Sequence, residues 1–136
     1  MIQAGQTGQY PPSGLPPSDS IVIGDLPHDW LFPRMAAVVH HAGAGTTAAG
    51  LRAGVPSVTV PVLADQPFWA ARLAALGMGP APIPRRQLSV GALPPAVRDS
   101  VAFPSYRTQA QALSRRLASE DGAAPIMSWL ARLGGS

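Results

Sequence analysis

The sequence predicts an α/β domain with a mostly parallel sheet and helices on both faces. Two observations carry that expectation. Short β-branched runs recur without polar alternation, as they do in strands buried on both faces. Between them lie Ala/Leu-rich segments that end at glycine, where helix C-caps belong. Ser20-Ile21-Val22-Ile23 is the first such run, Ala37-Val38-Val39-His40 the second and Ser57-Val58-Thr59-Val60-Pro61 the third. Strands are expected near 20–24, 37–40 and 57–61, with another near 1–4 and a weak, proline-limited edge near 81–83. Helices are expected over Gly45 to Ala53, before Gly54, and over Gln66 to Leu76, before Gly77. Tyr106 to Leu117 and Ala124 to Leu133 read as amphipathic packing helices.

The stretch Gly5 to Ser20 (GQTGQYPPSGLPPSDS) excludes a helix or a central strand, because proline lacks an N–H and fixes φ. It reads as a long connector, with a proline-rich ligand segment as the less favoured alternative. The division that follows is 1–20 as strand remnant and loop, 21–87 as a ligand-binding core and 88–136 as C-terminal helices.

Composition narrows the function classes. The chain has 136 residues, of which 46% are hydrophobic and only 12% charged, enough apolar content for one core and too little charge for a disordered tail. It has no cysteine, which excludes disulfides, zinc–thiolate sites and thiol nucleophiles. All ten basic side chains are arginine, yet the net charge is only +3 and aromatics do not interleave with the Arg85-Arg86 and Arg115-Arg116 pairs. Nucleic-acid binding is therefore not expected. No apolar run approaches a membrane span and the start lacks a signal-peptide pattern, so the expectation is a cytoplasmic domain without a transmembrane segment. No His/Asp/Glu spacing suggests a metal site.

The chemistry is concentrated in His40-His41-Ala42-Gly43-Ala44-Gly45-Thr46-Thr47, which follows a strand and opens a helix. Glycines let a ligand approach the main chain. The helix start offers unpaired N–H groups and a positive dipole end, and Thr46 and Thr47 add hydroxyls. This is an anion site suited to a diphosphate. Taken alone, the turn is equally readable as a glycine-rich connection without a ligand. One strand later, Val60-Pro61-Val62-Leu63-Ala64-Asp65-Gln66 leaves the same edge of a parallel sheet. Asp65 and Gln66 there match the vicinal hydroxyls of a sugar, while Asp65 before Pro67 is also a plausible N-cap. Trp30, Leu31 and Phe32 read as core residues. Trp69 either packs between helices or shapes the pocket mouth. His40 reads as a hydrogen-bonded strand-end histidine.

The segment VVHHAGAGTTAAGLRAGVPSVTVPVLADQPFWAARLAALGMG, with PHDWLFPRMAAVVHH before it and GPAPIPRRQLS after it, resembles the donor-binding signature of GT-B nucleotide-sugar-dependent glycosyltransferases. The resemblance is to the sterol-glucosyltransferase-like and antibiotic-glycosyltransferase branch, and runs from about Asp25 to about Gln87. It implies a Rossmann-like sheet, the C-terminal half of a GT-B fold lacking its first strand. It implies that His41, Gly43, Ala44, Gly45, Thr46 and Thr47 hold the donor diphosphate, that Asp65 and Gln66 hold the donor sugar, and that Asp25, Leu26 and His28, with Pro27, lie along the nucleobase. Asp25 stands where many relatives have a base-stacking Trp, and Ala49 where many have a ribose-binding Glu, so base and ribose contacts stay open.

The implied function is the donor-binding part of an inverting glycosyltransferase that moves a hexose from a UDP- or dTDP-sugar to a hydroxyl of a lipid or natural product. No further cofactor is implied, and no catalytic residue lies in this segment. The partners implied are the nucleotide sugar and an amino-terminal acceptor domain. The strand absent from the pattern is a central one in the order 3-2-1-4-5-6, so either the remaining strands close up or their unpaired edges favour self-association. The alternatives are a non-catalytic nucleotide-sugar- or anion-binding module and an inert truncated fragment.

Overall fold

The computed structural model describes residues 2–3 and 20–133. The connector expected over Gly5 to Ser20 therefore lies, apart from Ser20, outside the described residues. The strands are β1 (Ile2–Gln3), β2 (Val22–Ile23), β3 (Val38–His40) and β4 (Ser57–Thr59). The helices are α1 (His28–Leu31), α2 (Ala44–Ala53), α3 (Gln66–Ala75), α4 (Leu93–Ala102), α5 (Pro104–Ala118) and α6 (Ala124–Leu133). Short 3₁₀ turns occupy Phe32–Arg34 and Arg85–Gln87.

All pairing among the described residues is parallel, but it falls into two separate sheets. β1 lies beside β2, and β3 lies beside β4 in the register Val38↔Ser57, Val39↔Val58, His40↔Thr59. The two pairs do not close into one ladder. The edge strand expected at 81–83 is also absent. Ile83 donates one bond to the Thr59 carbonyl at 2.9 Å, but Pro82 and Pro84 on either side have no N–H with which to extend it.

Helix ends follow local chemistry. α2 stops at Gly54, whose φ of 64° is left-handed and whose N–H reaches back to the Gly50 and Leu51 carbonyls. A Cβ at Gly54 would lie 3.3 Å from the Gln111 backbone of α5, so the same glycine lets α5 pack closely on α2. α3 ends before Gly77, also left-handed at φ 68°. α4 starts with Leu93-Pro94-Pro95, tolerated because amide hydrogens in the first helical turn have no intrahelical acceptor.

Two apolar clusters hold the platform. Leu31, Phe32, Val38 and Val55 pack with Ile23, Met35, Ala49 and Ala53, joining α1 and α2 to β3. Leu73, Met78 and Ala110 pack with Leu51, Leu76 and Leu113, joining α3 to α5. Polar ties add to both: the Arg107 guanidinium donates to the Met35 and Ala36 carbonyls at 3.1 and 2.8 Å, and the Ser114 hydroxyl to the Arg52 carbonyl at 2.6 Å. Gly79 packs so tightly on β4 that a Cβ there would sit 2.0 Å from the Ser57 carbonyl oxygen.

Leu31 and Phe32 are core residues as expected, but Trp30 is not. It is 50% exposed, with the Arg34 guanidinium 4.3 Å from its ring centre. α6 presents Ile126, Met127, Trp129, Leu130 and Leu133 to the surface. No helix among the described residues is long and apolar enough to cross a membrane.

Candidate functional site

β3 and β4 are parallel neighbours, linked past their ends by the Val60 N–H donating to the His40 carbonyl at 2.9 Å. The segments that follow them therefore leave one edge of the pair. Each contains an alanine in the left-handed region, Ala42 at φ 64° and Ala64 at φ 56°. A side chain in that conformation costs roughly 1–2 kcal/mol. Such strain persists only where the surroundings over-determine it, and it concentrates at functional sites. Here both strained residues fall in the two loops that the sequence assigns to the ligand.

After β3 the chain turns at Ala42, extends at Gly43 and enters α2. The first helical bond runs from the Thr47 N–H to the Gly43 carbonyl at 2.9 Å, and no side chain caps the start. The amides of Gly43, Ala44, Gly45 and Thr46 thus have no acceptor within the helix. Ala44 and Gly45 are exposed, while Gly43 and Thr46 are half-buried. Four free N–H groups at the positive end of a helix dipole form an anion-binding surface. His41 is exposed, and its ring lies over Gly43: a Cβ on Gly43 would be 2.5 Å from His41 Nε2. Glycine is what lets the imidazole stand at the helix entrance. Thr47 faces the other way. Its side chain is buried and its hydroxyl has no partner, whereas Thr46 is only half-buried.

His40 is held inside the turn. Its Nδ1 accepts the Ala42 amide at 3.0 Å, and its buried Nε2 has no partner. Burial first, then the charges of His41 and His28, lower its pKa from 6.5 to about 4.

After β4, the loop to α3 is organised by side chains. Gln66 Oε1 accepts the Val62 and Leu63 amides at 2.8 and 3.1 Å, leaving its NH₂ for other partners. The Asp65 carboxylate accepts the Trp69 indole N–H at 2.8 Å. Asp65 stands at the N-cap position, where its carbonyl accepts the Trp69 amide at 3.2 Å, but its backbone is helical, at φ −79° and ψ −8°, and its side chain makes no cap bond. The exposed carboxylate is aimed by Trp69 instead. Trp69 is half-buried and meets Phe68 edge-on, 5.1 Å between ring centres.

The third wall is α1. Its first residues are folded by the Pro27 carbonyl, which accepts the Trp30 and Leu31 amides. Ahead of it, Asp25 is exposed and Leu26 half-buried. His28 stacks on Phe32 with 4.5 Å between ring centres. His28, Asp29, Pro33, Gly45, Ala49, Arg52 and Ala53 line one cleft of about 490 Å³. The structure so brings His28, from one motif, against Gly45, from another. Ala49 lies in the same cleft. The Asp29 carboxylate accepts the Trp30 amide at 3.0 Å.

Arg52 was missed as a lining residue by the sequence reading. The signal was present, because positions 45, 49 and 52 share one face of a helix. Among the described residues no group of three or more His, Asp or Glu side chains could hold a metal ion.

Comparison with known proteins agrees with this architecture. The chain is 49% identical over 108 residues to a sterol 3-beta-glucosyltransferase of Arabidopsis thaliana, covering 79% of this chain and 17% of that protein. It is 46% identical over 111 residues to the O-mycaminosyltylonolide 6-deoxyallosyltransferase of Streptomyces fradiae, covering 82% and 26% respectively. Among solved structures, the glycosyltransferase VinC in complex with dTDP superposes with a TM-score of 0.78 at 28% identity, over 88% of this chain and 30% of VinC. The glycosyltransferase of kitacinnamycin superposes with a TM-score of 0.80 at 26% identity, over 96% and 34%. The chain spans about a third or less of the length of these proteins and matches the C-terminal part of GT-B glycosyltransferases. Residues 7–133 match the domain described as Erythromycin biosynthesis protein CIII-like, C-terminal, and the chain belongs to that glycosyltransferase family.

Proposed function

We propose that this chain is the donor-binding part of an inverting glycosyltransferase, taking a hexose from a UDP- or dTDP-sugar. The observation that carries the reading is the pairing of two loops at one edge of β3 and β4. One offers free amides for a dianion, and the other offers the Asp65 carboxylate and the Gln66 amide for a polyol. In this reading the diphosphate lies on the amides of Gly43 to Thr46 with His41 beside it. The nucleoside runs along α2 into the cleft lined by His28, Ala49 and Arg52, and the sugar reaches Asp65 and Gln66. Relatives that act on a sterol and on a macrolide support a lipid or natural-product hydroxyl as acceptor. The dTDP complex of VinC supports a nucleoside diphosphate as the ligand.

The chemistry follows from where charge develops. As the acceptor hydroxyl attacks the anomeric carbon, the sugar–phosphate bond breaks and negative charge grows on the departing diphosphate. Preorganised N–H groups and His41 stabilise that charge best when it is fully developed, lowering the barrier. Deprotonating the acceptor hydroxyl needs a general base. No side chain of this segment is assigned that task, so the base and the acceptor pocket belong to the remainder of the enzyme, and this chain alone binds without turnover.

Calorimetry with UDP, dTDP and the matching nucleotide sugars tests the reading. Asp65→Asn is expected to weaken nucleotide-sugar binding by about 1–3 kcal/mol, the scale of a hydrogen bond to a charged group, while free nucleotide binding is unchanged. His41→Ala is expected to weaken both, because both carry the diphosphate. Equal losses for both ligands in Asp65→Asn would remove Asp65 from the sugar site. No binding of any of these ligands to the wild-type chain would refute the reading as a whole.

A further inference from the structure

We propose that His40 is a positioning residue for the amide surface at the start of α2: by accepting the Ala42 N–H it holds the left-handed turn that aims Gly43 to Thr46. The contact itself is short, 3.0 Å from the Ala42 nitrogen to Nδ1. Its geometry is that of an Asx turn, in which a side-chain acceptor on one residue takes the amide two residues on. Here an imidazole replaces the Asn or Asp that ordinarily makes it. An Nδ1 that accepts places the ring proton on Nε2.

Two further observations support this role for the ring. Nε2 is buried without a partner, so the histidine leaves a buried donor unsatisfied, which an apolar side chain of similar size would avoid. And the residue it holds is an alanine at φ 64°, wholly buried, where glycine would adopt the conformation unaided. The Ala42 methyl fills the interior, so the turn is strained and needs a restraint. His40 supplies one from within the same loop.

The restraint acts directly on the candidate ligand surface. Ala42 is followed by Gly43, the first of the four free amides, and preceded by His41, whose ring lies over Gly43. A rotation at Ala42 changes the angle between the His41 imidazole before it and the first turn of α2 after it. His40 touches no ligand in this scheme. It sets the angle at which others do.

For its ligand readout the inference rests on the donor-site reading above, so the test has one arm that does not. In the 136-residue chain, amide exchange at Ala42 is followed by NMR and dTDP affinity by calorimetry. The proteins are the wild type, His40→Asn, His40→Phe, and His40→Phe combined with Ala42→Gly. Asn offers an oxygen to the same amide; Phe keeps the bulk and removes the acceptor. Exchange at Ala42 is expected to accelerate about tenfold or more in His40→Phe and to stay within about threefold of wild type in His40→Asn. dTDP affinity is expected to fall about tenfold in His40→Phe alone, and Ala42→Gly is expected to restore it to within about threefold, because glycine needs no restraint.

Unchanged exchange at Ala42 in His40→Phe would overturn the proposal. So would a loss of affinity that Ala42→Gly leaves in place, since that marks a general packing defect. If His40→Phe does not fold, His40→Asn decides: protection kept at Ala42 supports the assignment, and protection lost overturns it. If the wild type binds no dTDP, the donor-site reading falls, and exchange at Ala42 still decides the role of His40.

Discussion

At the end of β3 the groups offered to a ligand are backbone amides, while at the end of β4 they are side chains. The first loop is fixed by a buried histidine, a left-handed alanine and the start of a ten-residue helix. The second is fixed by Gln66 folding back on Val62 and Leu63, and by Trp69 holding Asp65, all near the surface. Backbone donors cannot be altered by substitution without altering the fold, and they suit a group common to every ligand of the site. Side-chain groups, the Asp65 carboxylate as acceptor and the Gln66 NH₂ as donor, can be re-aimed by one change, and they suit a part of the ligand that varies. Under the proposed function, a fixed diphosphate surface and a tunable sugar surface would follow from how each loop is built.

The comparison breaks most completely if the shared platform moves. Gly79→Ala would push a Cβ onto the Ser57 carbonyl at the base of β4, a backbone atom that cannot swing aside. A loss of roughly 3 kcal/mol or more is expected in urea denaturation, with both loops weakened together. Stability unchanged within experimental error would mean that the Met78-Gly79 segment is free to shift away from β4.

Acid separates the loops. His40 is neutral when folded, with a pKa of about 4 against 6.5 when free, because burial and the neighbouring His41 and His28 oppose its charge. The unfolded chain therefore binds the extra proton first. Stability is full above about pH 6.5 and is lost as pH falls toward 4, by up to about 3 kcal/mol over the interval. His40→Asn is expected to flatten that slope. A variant with the wild-type pH profile would show that other groups carry the acid response.

The smallest expected effect sharpens the comparison. Trp69→Phe keeps the ring packing and removes the N–H that holds Asp65. Nucleotide-sugar binding is expected to weaken by about 0.5–1.5 kcal/mol, with dTDP or UDP binding unchanged. A loss shared by both ligands would mean that Trp69 supports the whole pocket rather than the Asp65 carboxylate.

Much of the platform was legible locally. The β-branched runs became β2, β3 and β4, though each is shorter than its run, and Gly54 and Gly77 closed the helices they were expected to close. The fold of α4 was less legible, because Pro94-Pro95 reads as a loop until it is placed in a first helical turn. Trp30 was misjudged for a related reason: four residues of α1 give no periodicity from which to tell its inner face from its outer one.

In the site, the glycine-rich turn and the Asp65-Gln66 pair were visible as residue types following strands. Their internal wiring was not. An alanine in the left-handed region leaves no compositional mark, and whether Asp65 caps its helix or meets Trp69 depends on a few degrees of φ and ψ. By itself the sequence determined which segments are extended or helical and which turn can present free amides, because these depend on propensity and on where glycine and proline stand. The tertiary structure decided that the strands pair as two separate sheets, that Thr47 faces inward, and that His28 of α1 meets Gly45 and Ala49 of α2 across one cleft. Those outcomes depend on contacts between residues far apart in the chain, and such contacts are set by which apolar faces pack together rather than by any local pattern.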